Sequence, residues 1–341
     1  MEKQLNRTFA TPAGCDLVVE NVKGQIVVEG WDRPETEVNA TYQESAEIEI
    51  SQDGNKVIAR TKGWPNGLEG LLNLLVKGHR AFAVDYVVHV PYTSDLCLKN
   101  VNGPVSVTEV QGNIEVNNVD GSANLDSVQG QVKAETVNGS LQASALQGEA
   151  QLKTVNGKLE VSSGTLDNLS AETVNGHIDI TAVLMNTGQF KFNTVNGSCH
   201  LTVPADLNAR VSAHGVNASV KCAQPTRDIE GHFGNWQGVI GQEDGPAAEI
   251  TFHTVNGSLR IDTSSPVTAQ APHTAPMPPE PPAPPSKPPV ERVEVKVAEP
   301  PPAAAPPEPE PLSQMDVLKM VENGELTVQE ALDRLNQLKN P

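Results

Sequence analysis

A glycine falls every nine residues through the middle of this chain, at positions 103, 112, 121, 130, 139, 148 and 157. The spacing then loosens and resumes at Gly176, Gly188, Gly197 and Gly257. A repeat this short has no core of its own and folds only by packing against its neighbours. The residues ahead of the glycines alternate. Val101-Asn102-Gly103, Val119-Asp120-Gly121, Val137-Asn138-Gly139 and Val155-Asn156-Gly157 interleave with Val110-Gln111-Gly112, Val128-Gln129-Gly130 and Leu146-Gln147-Gly148. The unit is therefore eighteen residues long and made of two similar halves.

In each half, apolar or small residues recur two, four and seven positions after the glycine, as in Val105, Val107, Val110 and Ile114, Val116, Val119. Polar residues lie between them, which predicts a short strand with one buried face closed by a glycine turn. Two architectures fit. Asn-Gly is the strongest hairpin signal, so an antiparallel meander would set Ala143 beside Ala134. It would leave the valine before each turn outside, and a one-sided apolar sheet with no helix to cover it. A β-solenoid of eighteen-residue, two-strand coils turns that valine inward and buries each sheet against the other. Alanines at 123, 134, 143, 145 and 150 suit its narrow interior. The expected fold class is therefore all-β, a β-solenoid. Its structural turns are Asn102-Gly103, Asn138-Gly139, Asn156-Gly157, Asn175-Gly176, Asn196-Gly197 and Asn256-Gly257, stacked as an Asn ladder on one edge with Gln on the other.

The first hundred residues read as the irregular start of the same domain. Ile26 and Val28 repeat the spacing after Gly24, further strands are expected at 38–42, 48–51 and 57–60, and Phe82 to Val90 alternates cleanly. The stretch from Trp64 to Val76 is expected to cap the open end, because a bare terminal coil is an unpaired edge. Gln224 to Gly245 is a Gly-rich excursion in which Phe233 and Trp236 either contact a ligand or plug the solenoid, the plug being favoured. Ile250 to Ile261 closes the domain.

From Pro266 to Pro311, eighteen of forty-six residues are proline, a tether that builds no core. In polyproline II form it reaches on the order of 100 Å. Beyond it, Ser313 caps one helix that stops at Asn323-Gly324, and Thr327 with Glu330 forms a capping box for a second. Leu318, Val321, Leu332 and Leu335 lie on the apolar faces of this helical hairpin. Helices this short are marginal alone, so they dock on a partner or self-associate. The domains are thus 1–263, the β-strand repeats; 264–311, the Pro-rich linker; and 312–341, the hairpin.

With 42 acidic against 24 basic residues the formal net charge is −18, which repels nucleic acid at long range. No ring occurs between Tyr92 and Phe190 for stacking bases or sugars. Ala13-Gly14-Cys15 mimics a lipidation site without a hydrophobic stretch before it, and nothing approaches a transmembrane segment. The expected location is cytoplasmic, the alternative being the cell surface by an unrecognised route. Four cysteines at 15, 97, 199 and 222 lack paired Cys-x-x-Cys spacing and are expected as buried thiols rather than metal ligands. Glu160, Asp179 and His200 share one outward column, where paired carboxylates are able to act as acid and base or bind a cation. A solvated face is the favoured reading there and for His177. Neither a cofactor nor a catalytic residue is expected.

The Thr-Val-Asn-Gly repeats starting at 136, 154, 173, 194 and 254, with Val87 to Pro91 and the Asn21 to Trp31 turn, resemble the bacterial putative-adhesin family of β-strand-repeat proteins. That family is a domain of unknown function, and the resemblance covers roughly residues 8–263. The adhesin label implies surface exposure. Leu318 to Leu335 is similar to the short helical SHOCT-like modules, which implies oligomerisation or recruitment. The expected function is a non-enzymatic binding or scaffold protein with a tethered recruiting module, in envelope sensing or assembly. A surface adhesin and a polymerising cytoskeletal scaffold are the alternatives.

Overall fold

The computed structural model describes residues 2–62, 83–223, 226–232, 234–241 and 247–264, and every regular element among them is a strand. The repeats form parallel coils. A short strand, such as β9 (Val105–Thr108), β11 (Ala123–Asp126), β13 (Leu141–Ser144) or β15 (Leu159–Val161), alternates with a long one, such as β10 (Gln111–Asp120), β12 (Gln129–Asn138), β14 (Leu146–Asn156) or β16 (Gly164–Asn175). Long strands pair with long and short with short, eighteen residues apart: Gln111 with Gln129, Gln129 with Gln147, Leu141 with Leu159. Gln142 stands opposite Glu160 rather than opposite Glu135, which decides for the solenoid over the meander.

Each coil has two corners of different chemistry. At one, a single residue takes the left-handed region, Glu109 at φ 56°, Ser127 at 54° and Ala145 at 51°, so Ala145 is a corner and not an interior residue. At the other, the Asn-Gly turn is tied from inside. Asn118 Nδ2 donates to the carbonyls of Gly103 and Gly121, both at 3.0 Å, and Thr154 Oγ1 donates to the Gly139 carbonyl at 3.0 Å. Asn100, Asn118, Thr136, Thr154, Thr173, Thr194 and Thr254 form one buried polar column. A buried carbonyl without a partner costs a few kcal/mol, and Asn100, Asn118, Thr136 and Thr154 supply partners, whereas the hydroxyls of Thr173, Thr194 and Thr254 have none among the described residues.

That column corrects the expectation that every turn valine points inward. Val110, Val128 and Leu146 do. Where the inward place is taken by the threonine of Thr-Val-Asn-Gly, strand alternation puts the valine outside: Val137, Val174, Val195 and Val255 are exposed, as is Val216, where Gly215 stands in the place of the threonine. The Asn ladder is present. Asn138 Nδ2 donates to Asp120 Oδ1 at 2.7 Å, and Asn156, Asn175, Asn196, Asn256 and Asn217 follow, each donating to the one before at 2.8–3.2 Å.

Later coils are longer. A bulge between Gly148 and Glu149, opposite Leu166 to Asn168, adds the residue that widens the glycine spacing. β19 (Gln189–Pro204) and β23 (Ala248–Ser264) run continuously through the Asn-Gly corner, and β20 (Ala209–Cys222) through the same corner with Asn217-Ala218. β23 does not close the domain: it lies between β19 and β20, parallel to both. The excursion after β20 is a hairpin, β21 (Thr226–His232) and β22 (Asn235–Ile240), with β22 antiparallel to β20. Trp236 stands opposite Ala213 and packs against the core, while Phe233 lies outside the described residues.

At the other end, β1 (Glu2–Ala10) pairs antiparallel with β4 (Glu35–Gln43), and β5 (Ile48–Asp53) with β6 (Lys56–Thr61). The strands expected near 17–19, 26–28, 38–42, 48–51 and 57–60 are all present, whereas β1 was not legible because seven of its nine residues are exposed. The proposed cap at 64–76, the tether and the hairpin at 312–341 lie outside the described residues. The interior is aliphatic between Tyr86, fully buried in the first coils, and the last coils, where Phe190, Phe192 and Phe252 fill it against Ala171 and Ala213, large beside small.

Candidate functional site

Three surfaces of the solenoid gather chemistry. The first is the column singled out from the sequence. Glu160 pairs with Asp179, Asp179 with His200 and His200 with Arg260 in the strand register, so the structure does bring these residues together. Two cations are decisive, Arg260 of the same column and Lys158, to which spacing alone did not point. Lys158 Nζ lies 3.1 Å from Glu160 and 2.9 Å from Asp179, and Arg260 Nε donates to Asp262 Oδ2 at 2.7 Å. His200 Nε2 approaches the same Asp262 oxygen at 2.9 Å, with Nδ1 3.9 Å from Asp179. His177 is elsewhere, bonded to Ser198 Oγ at 2.8 Å.

The bond from Arg260, followed by that from His200, holds the Asp262 carboxyl below its ordinary range. Hydrogen bonds to Asp179 and then Glu160 push Lys158 up. Carboxylates in this state are poor general bases at neutral pH. A depressed folded-state pKa contributes stability above the unfolded value that is lost as pH falls through the folded one. Arg260→Ala is therefore expected to raise the Asp262 midpoint toward its ordinary value, followed by carboxyl NMR; an unmoved midpoint would show that the guanidinium is not its main partner.

The second surface is a shallow trough of 1040 Å³ on the outward face of the long strands, with Asp95, Asn113, Gln131, Lys133, Glu149 and Lys191 among its lining. Its groups are largely engaged, Asp95 Oδ1 accepting the Asn113 backbone N–H at 2.7 Å and Lys133 lying between Glu115 and Glu135. Cys97, expected as a buried thiol, instead lies half-buried on its floor, and Cys222 is half-buried too; Cys15 and Cys199 are buried. Cys15, Cys97 and Cys199 are free, and burial raises the pKa of each, which keeps those thiols protonated and unreactive.

The third surface is the row of turn valines. Val137, Val155, Val174, Val195, Val255 and Val216 stand side by side on six successive strands. Five of the six exposed large hydrophobic residues among the described ones belong to this row, Val216 at 76% exposure. Beside it runs a second column, Glu135, Lys153, Glu172, Asn193, His253 and His214, and the two bound a groove of 660 Å³. Lys153 Nζ is 3.4 Å from Glu172, and the His214 and His253 rings stack at 5.2 Å. The repeated Thr-Val-Asn-Gly carried the signal for this row: a β-branched polar residue directly before the valine takes the interior position.

Among the described residues no cluster of three metal-ligating side chains occurs, and no helix is long and apolar enough to cross a membrane. The described fold is thus a two-faced parallel β-solenoid with laddered turns. Residues 16–262 match the family described as Toastrack DUF4097, and the chain belongs to that family. Residues 314–341 match a SHOCT-like domain. The resemblances read from the Thr-Val-Asn-Gly repeats and from Leu318 to Leu335 both hold.

Similar solved structures include a putative adhesin from Bacteroides fragilis, 10% identical over 76% of this chain and 97% of that one, with a TM-score of 0.43. A putative lipid binding protein from Parabacteroides distasonis is 11% identical over 77% and 97%, at 0.39. A putative cell adhesion protein from Clostridium sporogenes is 9% identical over 77% and 100%, at 0.25. Comparison with curated proteins gave no match.

Proposed function

We propose that this protein is a non-enzymatic binding and scaffolding protein of cell-envelope sensing or assembly. The solenoid displays an interaction stripe, and residues 312–341 supply recruitment or self-association. The observation that carries this reading is the outward valine row. Leaving a valine in water forfeits about 1.5 kcal/mol or more relative to fully burying it, so a row of five exposed valines and one half-buried is a cost to folding that a partner recovers. The pairing of Glu160, Asp179 and Asp262 with cations supports the absence of acid–base chemistry. Free thiols at Cys15, Cys97 and Cys199 favour a reducing compartment, hence the cytoplasm. A surface adhesin is the alternative, and fractionation of the native protein separates the two.

The test is affinity capture with the full chain, with the chain lacking 312–341, and with Leu332→Asp. An added carboxylate costs several kcal/mol if it must be buried unpaired. Leu332→Asp is expected to lose the partners or assemblies that depend on 312–341, with the solenoid's thermal transition unchanged. A truncated chain that retains its full partner set and its mass would remove the recruiting role. A polymerising scaffold is the second reading. It is favoured by the outer edge of Asn217–Lys221, which among the described residues has no strand paired to it. Concentration-dependent filaments would mark it.

A further inference from the structure

We propose that the valine row is an interface between two copies of this chain, packed side by side with their solenoid axes antiparallel. The inference rests on reading the row as a binding surface and identifies its occupant. The first argument is the repeat distance. The valines recur once per strand, ~4.8 Å apart. Helical surfaces and single extended peptides present side chains at other intervals, whereas a second stacked-strand ladder presents them at the same one, so identical rows interdigitate along their whole length.

The second argument is charge, and it fixes the register. A two-fold axis perpendicular to the row makes the flanking column face itself in reverse order. Centred between Val155 and Val174, the axis sets Val155 against Val174 of the second copy, Val137 against Val195 and the half-buried Val119 against Val255. In the same register Lys153 meets Glu172 of the second copy, twice by symmetry, and Glu135 meets Asn193. Moving the centre onto Val174 would place Glu172 against itself, and moving it onto Val155 would place Lys153 against itself. Like charges directly opposed are the strongest available veto on a register. Moving it between Val137 and Val155 would set both Val195 and Val255 against valines already buried, Val101 and Val22, whereas the chosen centre does so only for Val216; moving it between Val174 and Val195 would set Lys153 against His253 and lose its contact with Glu172.

The intact chain is measured by sedimentation over a range of concentrations. Lys153→Glu or Glu172→Lys alone is expected to weaken dimerisation about tenfold, and the double exchange Lys153→Glu with Glu172→Lys to restore it, because only the pair regains opposite charge. Val174→Glu with Val195→Glu is expected to abolish the dimer while the thermal transition holds, since both side chains are already exposed. A chain that is monomeric at every concentration, or a double exchange as weak as the single ones, would overturn the proposal. Should the valine variant lose captured partners with its mass unchanged, the row is a binding surface for another molecule, and the dimer alone is refuted. Should it change neither, both readings fall. Leu332→Asp is run alongside, and a mass that depends on it and not on the valines also overturns the dimer.

Discussion

Gly121→Ala is expected to lower the stability of the solenoid by on the order of 4 kcal/mol, from backbone strain and overpacking together. Gly121 has φ +148°, outside the range of L side chains, and a Cβ there would sit 2.2 Å from the Gly103 carbonyl oxygen of the coil beneath. Neither problem is relieved by a side-chain rotation, because the obstacle is backbone. The carbonyl in the way belongs to Gly103, which also accepts from Asn118, so moving it breaks the inner tie of the turn. The control is Gly54, with φ +58° and nothing within 4 Å of the added carbon. There alanine is expected to cost only the left-handed penalty, about 1–2 kcal/mol. Denaturant midpoints read the difference. Equal losses at the two sites would mean that the turns are not packed coil on coil.

The second large effect is expected from Phe192→Ala, a loss of about 3–5 kcal/mol. Phe192 is fully buried, with Ala171 on one side of it in the register and Phe252 on the other. The neighbouring alanine cannot grow into the space, and the strands are held apart by their own ladder, so the cavity stays. Phe192→Leu, which keeps most of the volume, is expected to cost less than half as much. Amide exchange should show the loss concentrated in the Phe192 and Phe252 coils, because each coil touches only its neighbours. A loss spread evenly back to Val105 would contradict nearest-neighbour packing.

The coils from 103 to 157 could be read from the sequence because glycine spacing and alternation both report the same eighteen-residue period. Two features could not be read. The first is the place of β23 between β19 and β20, since its Thr-Val-Asn-Gly matches every other coil equally well and adjacency in space is free to depart from order in the chain. The second is the direction of the turn valines. The rule of apolar residues at two, four and seven positions treated both half-repeats alike, yet only the Gln-Gly half follows it. In the other half the residue at six is Asn118, Thr136 or Thr154, whose polar atom serves the glycine carbonyls. A hydrogen-bond requirement overrode hydrophobicity, and no count of apolar positions registers that. The candidate column of Glu160, Asp179 and His200 was placed correctly as a column, which Arg260 continues; Lys158, the cation that engages both of its acids, occupies an offset position that the period did not single out.

The asparagine ladder gives the solenoid a grammar as well as a seam. All six amides donate in one sense, and the run terminates on a carboxylate, Asp120, which has no proton to pass on. The row is therefore punctuated at one end only. At the other, Asn217 uses its amide nitrogen on Asn256, and its side-chain oxygen is an acceptor. A strand laid beyond it would continue the sentence by offering a donor at that height, while one offering an acceptor would be misspelt. Side-chain amides written along a fibre axis in this way encode polarity, so any end-on growth of this protein would be legible in one direction only.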